Sequence, residues 1–111
     1  MINKKYQKDK NCCKVTFSLP LEAAPNAKDI RVLGDFNDWD WEQGLKMKAT
    51  KTEYRASVDL DTGRRYEFRY LMDNKNWEND LNADDYAPSP FEGVDNCVIS
   101  LEEEIPVLTS E

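Results

Sequence analysis

The chain has 111 residues, 40% of them hydrophobic and 33% charged, with a formal net charge of -7 and no histidine. That length supports one domain with one core, while the acidic balance opposes nucleic-acid phosphate and anionic membrane surfaces as partners. Without histidine there are no imidazole metal ligands and no Ser-His-Asp or Cys-His nucleophile systems.

Residues 1–11 read as a flexible basic arm: Lys4, Lys5, Lys8, Lys10 and Lys14 stand against Asp9 alone over the first fourteen positions. Such a run either solubilises a disordered terminus or pairs with the acidic body. No apolar stretch of secretory type follows it, and no segment approaches the roughly 20 apolar residues of a membrane span, so the expected location is the cytosol.

From there period-two alternation dominates. Val15, Phe17 and Leu19 alternate with Lys14, Thr16 and Ser18 until Pro20 closes the strand. A loop over 22–28 leads to a short strand, Ile30 to Leu33, ended by Gly34. Residues 35–44 form a long ordered loop, and 45–48 form a strand with Leu45 and Met47 on one side. After a turn at Lys51-Thr52, residues Tyr54, Ala56, Val58 and Leu60 mark the next strand. Gly63 sits in a turn where a positive φ is useful. Arg65 to Met72 is the strongest strand: Tyr66, Phe68, Tyr70 and Met72 share one face, so Arg69 must point the other way. A turn at 73–76 delivers Trp77, the segment 80–95 reads as loop with Pro88 and Pro90 against a central strand, and Cys97, Ile99 and Leu101 form the last strand. Residues 102–111 are an acidic tail.

About seven short antiparallel strands with no amphipathic helix indicate an all-β fold, a two-sheet immunoglobulin-like β-sandwich over residues 12–101. A small barrel uses the same alternation. Phe17, Val32, Val58, Phe68, Tyr70 and Ile99 are the expected core. The odd count of cysteines, two of them adjacent, fits free thiols better than a disulfide framework, with Cys97 inward.

Three tryptophans stand out among turn-forming polar residues: Trp39 and Trp41 after Gly34, and Trp77 beyond Asn76. Rings so placed have few core neighbours, which favours a ligand that lies flat on them. A sugar has an apolar C–H face for the ring and hydroxyls for nearby Asp, Asn and Arg. The alternative is that they plug the ends of a small β-domain, the expectation for Trp41. The carboxylates Asp80, Asp84, Asp85, Glu92 and Asp95 read as solvated loop acids: a glycosidase needs a pair at a defined separation with divergent pKa values, which proximity in sequence does not establish, and 22 acidic residues make accidental pairs inevitable. The Asp80/Asn82/Asp84/Asp85 cluster lacks the glycine and terminal glutamate of a calcium loop, and Cys12-Cys13 with Cys97 is a weak zinc set. The expectation is a protein without catalytic residues, metal or cofactor.

The segment Gly34-Asp35-Phe36-Asn37-Asp38-Trp39, together with Gly63 to Asp73, Trp77 and Gly93-Val94-Asp95-Asn96, resembles the glycogen-binding and isoamylase N-terminal-like (early-set) carbohydrate-binding family. The resemblance covers about residues 12–101 and implies sugar contacts at Trp39, Arg69, Trp77 and Asp95, with the final turn around Phe91 and Gly93 closing over the glucose chain and Asn96 as a further candidate. Arg69 stands where that family usually has Lys, and Asp95 where it usually has Asn. The implied function is non-catalytic binding of α-1,4-linked glucan, such as glycogen, starch or maltooligosaccharide. The alternative is a protein-interaction or structural accessory domain beside a glucan-metabolising enzyme.

Overall fold

A computed structural model describes residues 2–7, 11–90 and 93–102. Its described strands, in chain order, are β1 (Ile2–Gln7), β2 (Cys12–Pro20), β3 (Ile30–Gly34), β4 (Leu45–Lys46), β5 (Lys48–Ala49), β6 (Glu53–Asp61), β7 (Arg65–Met72), β8 (Asn76–Glu78), β9 (Asp85–Pro88) and β10 (Asp95–Ser100). They form two antiparallel sheets. One has the order β1-β2-β6-β5, and the other β4-β3-β7-β10-β9 with β8 on the flank of β7. The fold is an all-β, immunoglobulin-like sandwich.

The alternation of β2 and β7 produces the core. Cys13, Val15, Phe17 and Leu19 from one sheet meet Tyr66, Phe68, Tyr70 and Met72 from the other, with Val32, Cys97 and Ile99 between. Phe17 lies 5.0 Å from Phe68 and 6.4 Å from Tyr70, ring centre to ring centre, so three aromatic residues fill the middle. Val58 is only half-buried, contrary to expectation. It packs against the core from the inner face of β6, but β5 covers β6 only at Tyr54 and Arg55, leaving Val58 at an unpaired edge.

Three further expectations change. Within the supposed arm, Ile2–Gln7 form a strand paired with β2 from Ile2↔Phe17 to Gln7↔Cys12. The lysines do not prevent this because Lys4 is held: its Nζ donates to Asp84 Oδ2 at 2.6 Å and to the Ser100 main-chain oxygen at 3.1 Å. An inward charge on an edge strand also discourages edge-to-edge association. The segment 45–48 is not one strand but two. The chain crosses from one sheet to the other at buried Met47, whose N–H donates to Ile30 O at 2.8 Å. Within the expected loop 80–95, Asp85–Pro88 pair with β10 as an edge strand, and Pro88 is tolerated because it ends that strand.

All three cysteines are free, with Cys13 and Cys97 buried. Asp80, grouped above with solvated acids, is 2% exposed. The Tyr70 hydroxyl donates to its Oδ2 at 2.7 Å, the Asn82 N–H donates to its Oδ1 at 2.8 Å, and its own N–H donates to Cys97 Sγ. A charged side chain persists in such a place only when its lone pairs are met.

Candidate functional site

One flank of β7 is shared by two partners. β10 pairs with Arg65–Phe68, and β8 pairs with Tyr70–Met72. Arg69 falls at the gap between them. Alternation puts Glu67, Arg69 and Leu71 on the outer face, and the register Leu71↔Trp77 brings Trp77 to that same face. The turn before β8 has Asp73 and Asn74 both at positive φ, 53° and 57°, the geometry of a tight hairpin that keeps this register.

Trp39 reaches the face from the loop after β3. Gly34 makes this possible because a Cβ there would come within 2.5 Å of the Glu67 main-chain oxygen and 2.9 Å of Phe68 Cβ. Asn37 then locks the turn, accepting from Gly34 N–H and donating to Val32 O, each at 3.0 Å. Asp38 and Trp39 follow in left-handed conformations, φ 57° and 56°. For a bulky residue that conformation is unfavourable and is held by its surroundings. Here the Trp39 N–H donates to Gly34 O at 3.0 Å, and the indole Nε1 donates to Asp35 Oδ1 at 3.0 Å. Asp35 Oδ2 in turn accepts from the Glu67 N–H at 2.7 Å, fastening the loop to β7.

The two rings meet at a centre-to-centre distance of 6.3 Å with 53° between their planes. They wall an open groove of about 500 Å³ lined also by Asp35, Glu67, Arg69, Pro90 and Asn96. Trp77 is 41% exposed, far more than packing alone requires of an indole. The Arg69 guanidinium lies 5.3 Å from the centre of the Trp77 ring, and its Nε donates to Asn79 Oδ1 at 2.7 Å. Asn79 Nδ2 donates in turn to Asp95 O at 2.9 Å. Burial is the main reason the Arg69 guanidinium holds its proton less tightly than usual. Asn96 Nδ2 donates to Glu67 Oε1 at 3.0 Å on the opposite side of Arg69.

Of the residues expected from sequence, Trp39, Arg69, Trp77 and Asn96 converge on this groove. Asp95 does not line it. Along β10 it shares its parity with Cys97, and the main-chain oxygen, not the carboxylate, supports Asn79. Gly93 is exposed at φ 79° with nothing near its α-carbon substituent position, and Phe91 lies outside the described residues. Asp35, Glu67 and Pro90 were missed. Glu67 was legible, since it has the same strand parity as Arg69. Trp41 packs under Arg31, whose guanidinium sits 4.3 Å from its ring centre and forks onto Asp29, so this ring has a structural partner. Among the described residues no group of acidic and cysteine side chains is arranged to hold a metal ion, and no helix is long and apolar enough to cross a membrane. Asp84 and Asp85 are instead engaged by Lys4 and Arg65.

Residues 5–87 match the family model described as carbohydrate-binding module 48 (isoamylase N-terminal domain). Over 64 residues, 58% of the chain, the sequence is 33% identical to the 1,4-alpha-glucan branching enzyme of Bacillus cereus (strain Q1). It is 31% identical over an equal stretch to that of Bacillus subtilis (strain 168). The chain spans about a tenth of the length of these curated relatives, 10% in each case.

Proposed function

Because the chain belongs to the carbohydrate-binding module 48 (isoamylase N-terminal domain) family, a family of non-catalytic modules, we propose that it binds α-1,4-linked glucan through the groove between Trp39 and Trp77. The observation that carries this reading is the meeting of two indoles nearly forty residues apart in sequence, half-buried Trp39 from the loop after β3 and exposed Trp77 from β8, with the guanidinium of Arg69 beside the Trp77 ring. Indole faces take the apolar side of a pyranose, and the guanidinium donates to its oxygens. Two rings inclined at 53° suit successive sugars of a bent α-linked chain better than a flat β-linked ribbon. An open groove binds each short segment weakly, with affinities of about 4–8 kcal/mol, and gains from repetition along a polymer.

Migration through a gel containing glycogen tests the reading, together with calorimetric titration of maltoheptaose and of a cellulose oligosaccharide. Retardation and saturable binding of maltoheptaose alone are expected; unchanged migration with no heat from maltoheptaose defeats the reading. A second reading is favoured by the similarity to branching enzymes along a tenth of their length: the module docks on a glucan-metabolising enzyme. In that case the two Trp→Ala substitutions abolish association with such an enzyme and leave glucan affinity unaltered.

A further inference from the structure

We propose that Glu67 is the specificity-determining acceptor of this groove, its carboxylate receiving a hydrogen bond from a glucose hydroxyl beside the Trp39–Trp77 pair. The proposal rests on the glucan-binding reading and adds to it which sugar atoms are read. The polar lining divides according to what each side chain already holds. Both oxygens of Asp35 are occupied, one by the Trp39 indole and one by the Glu67 N–H, so Asp35 is a fastening for the loop. The Asn96 amide nitrogen is committed to Glu67 Oε1, which fixes the carboxylate in one orientation. Asn96 keeps its neutral carbonyl oxygen and second amide hydrogen, and two charged sets of atoms remain beside it. Glu67 Oε2 and the two terminal nitrogens of Arg69 make no hydrogen bond among the described residues, and both side chains line the groove.

Their chemistry is complementary. A carboxylate only accepts and a guanidinium only donates, whereas each sugar hydroxyl does both. Residues two apart on one strand face are about 7 Å apart, within reach of hydroxyls along one edge of the sugar chain stacked on the rings. Glu67 therefore reads donors and Arg69 reads acceptors. A ligand whose hydroxyl hydrogens are replaced by methyl groups keeps its oxygens for Arg69 and offers nothing to Glu67. A phosphate- or carboxylate-bearing sugar at that position meets a like charge.

The test is titration of the full chain with maltoheptaose and with the same oligosaccharide methylated singly at position 2, 3 or 6 of its glucose units. Wild type, Glu67→Gln and Glu67→Asp are compared, each with an unfolding curve. Glu67→Gln keeps a carbonyl oxygen for Asn96 but turns a donor toward the groove; Glu67→Asp keeps the charge and withdraws it by one methylene. Both are expected to weaken maltoheptaose binding about tenfold, the scale of one charge-assisted hydrogen bond, and Glu67→Gln, which keeps the Asn96 contact, to do so without moving the unfolding midpoint. At one position methylation should weaken wild type by a similar factor and leave Glu67→Gln unaffected. Wild-type affinity retained in Glu67→Gln, or methylation weakening both proteins equally at all three positions, overturns the assignment while leaving glucan binding intact. Failure of wild type to bind maltoheptaose overturns the glucan reading, and this assignment with it.

Discussion

Replacing Trp77 or Trp39 by alanine removes a broad platform and not a single polar contact, so each change is expected to weaken glucan binding by about 1–3 kcal/mol. Titration calorimetry beside urea unfolding checks this, because Trp39 also ties Asp35 to its own loop and its loss carries a stability cost that Trp77, at 41% exposure, does not share. Asp95→Asn is expected to leave affinity within a few tenths of a kcal/mol of wild type by the same calorimetry, since surface changes away from special contacts rarely do more. The resembled family usually has Asn at position 95, an amide that could contact sugar directly. The strand register turns Asn96 toward the groove and leaves Asp95 to act through its main chain.

At the scale of strands and turns, Gly34 has the tightest requirement. Its backbone is extended, so the demand is for space and not for an unusual φ: an added methyl meets the main chain of β7 at Glu67 and the Phe68 side chain. Gly34→Ala is therefore expected to cost about 1–3 kcal/mol of stability, as overpacking does elsewhere, measured as a lowered urea midpoint with an unchanged slope. Much of this level was legible in the sequence. The alternation along Tyr66 to Met72 specified the core face of β7 and, by the same rule, the outward position of Arg69 and Glu67. What alternation does not carry is pairing. β1 carries two adjacent lysines within a basic segment and reads from sequence as unstructured, because the partners that satisfy Lys4 are eighty and more residues away. β9 holds two acidic or aromatic residues and a proline, with no apolar pattern, since it is an edge strand with little to bury. Asp80 looked like any loop acid. Its burial depends on Tyr70 and Cys97 lying beneath it, which only the assembled sheet brings about.

For the whole molecule, the titrating groups of the core set an alkaline limit. Burial pushes the Cys97 thiol up to about 11, and burial with the nearby Asp80 charge pushes the Tyr70 phenol further above its ordinary range; Tyr66 and Cys13 are raised as well, again mainly by burial. Each group keeps its proton longer folded than unfolded. Stability is thus fully present below the unfolded value, 9.0 for the thiol, and is lost as pH rises through the folded one. The Cys97 share amounts to about 2–3 kcal/mol by pH 11. Urea midpoints between pH 8 and 11 should fall steadily, and Cys97→Ala should make that fall shallower while the tyrosines maintain the remainder. The left-handed pair Asp38–Trp39 bears on the molecule in a different way. Two residues in that conformation raise the energy of the native state by about 1–3 kcal/mol each, and the hydrogen bonds to Gly34 and Asp35 hold them there with the groove empty. The cost of ordering the first indole is thereby charged to folding. A sugar that arrives has little loop freedom left to freeze at Trp39, and its binding entropy should be correspondingly less unfavourable than that of a site assembled around its ligand.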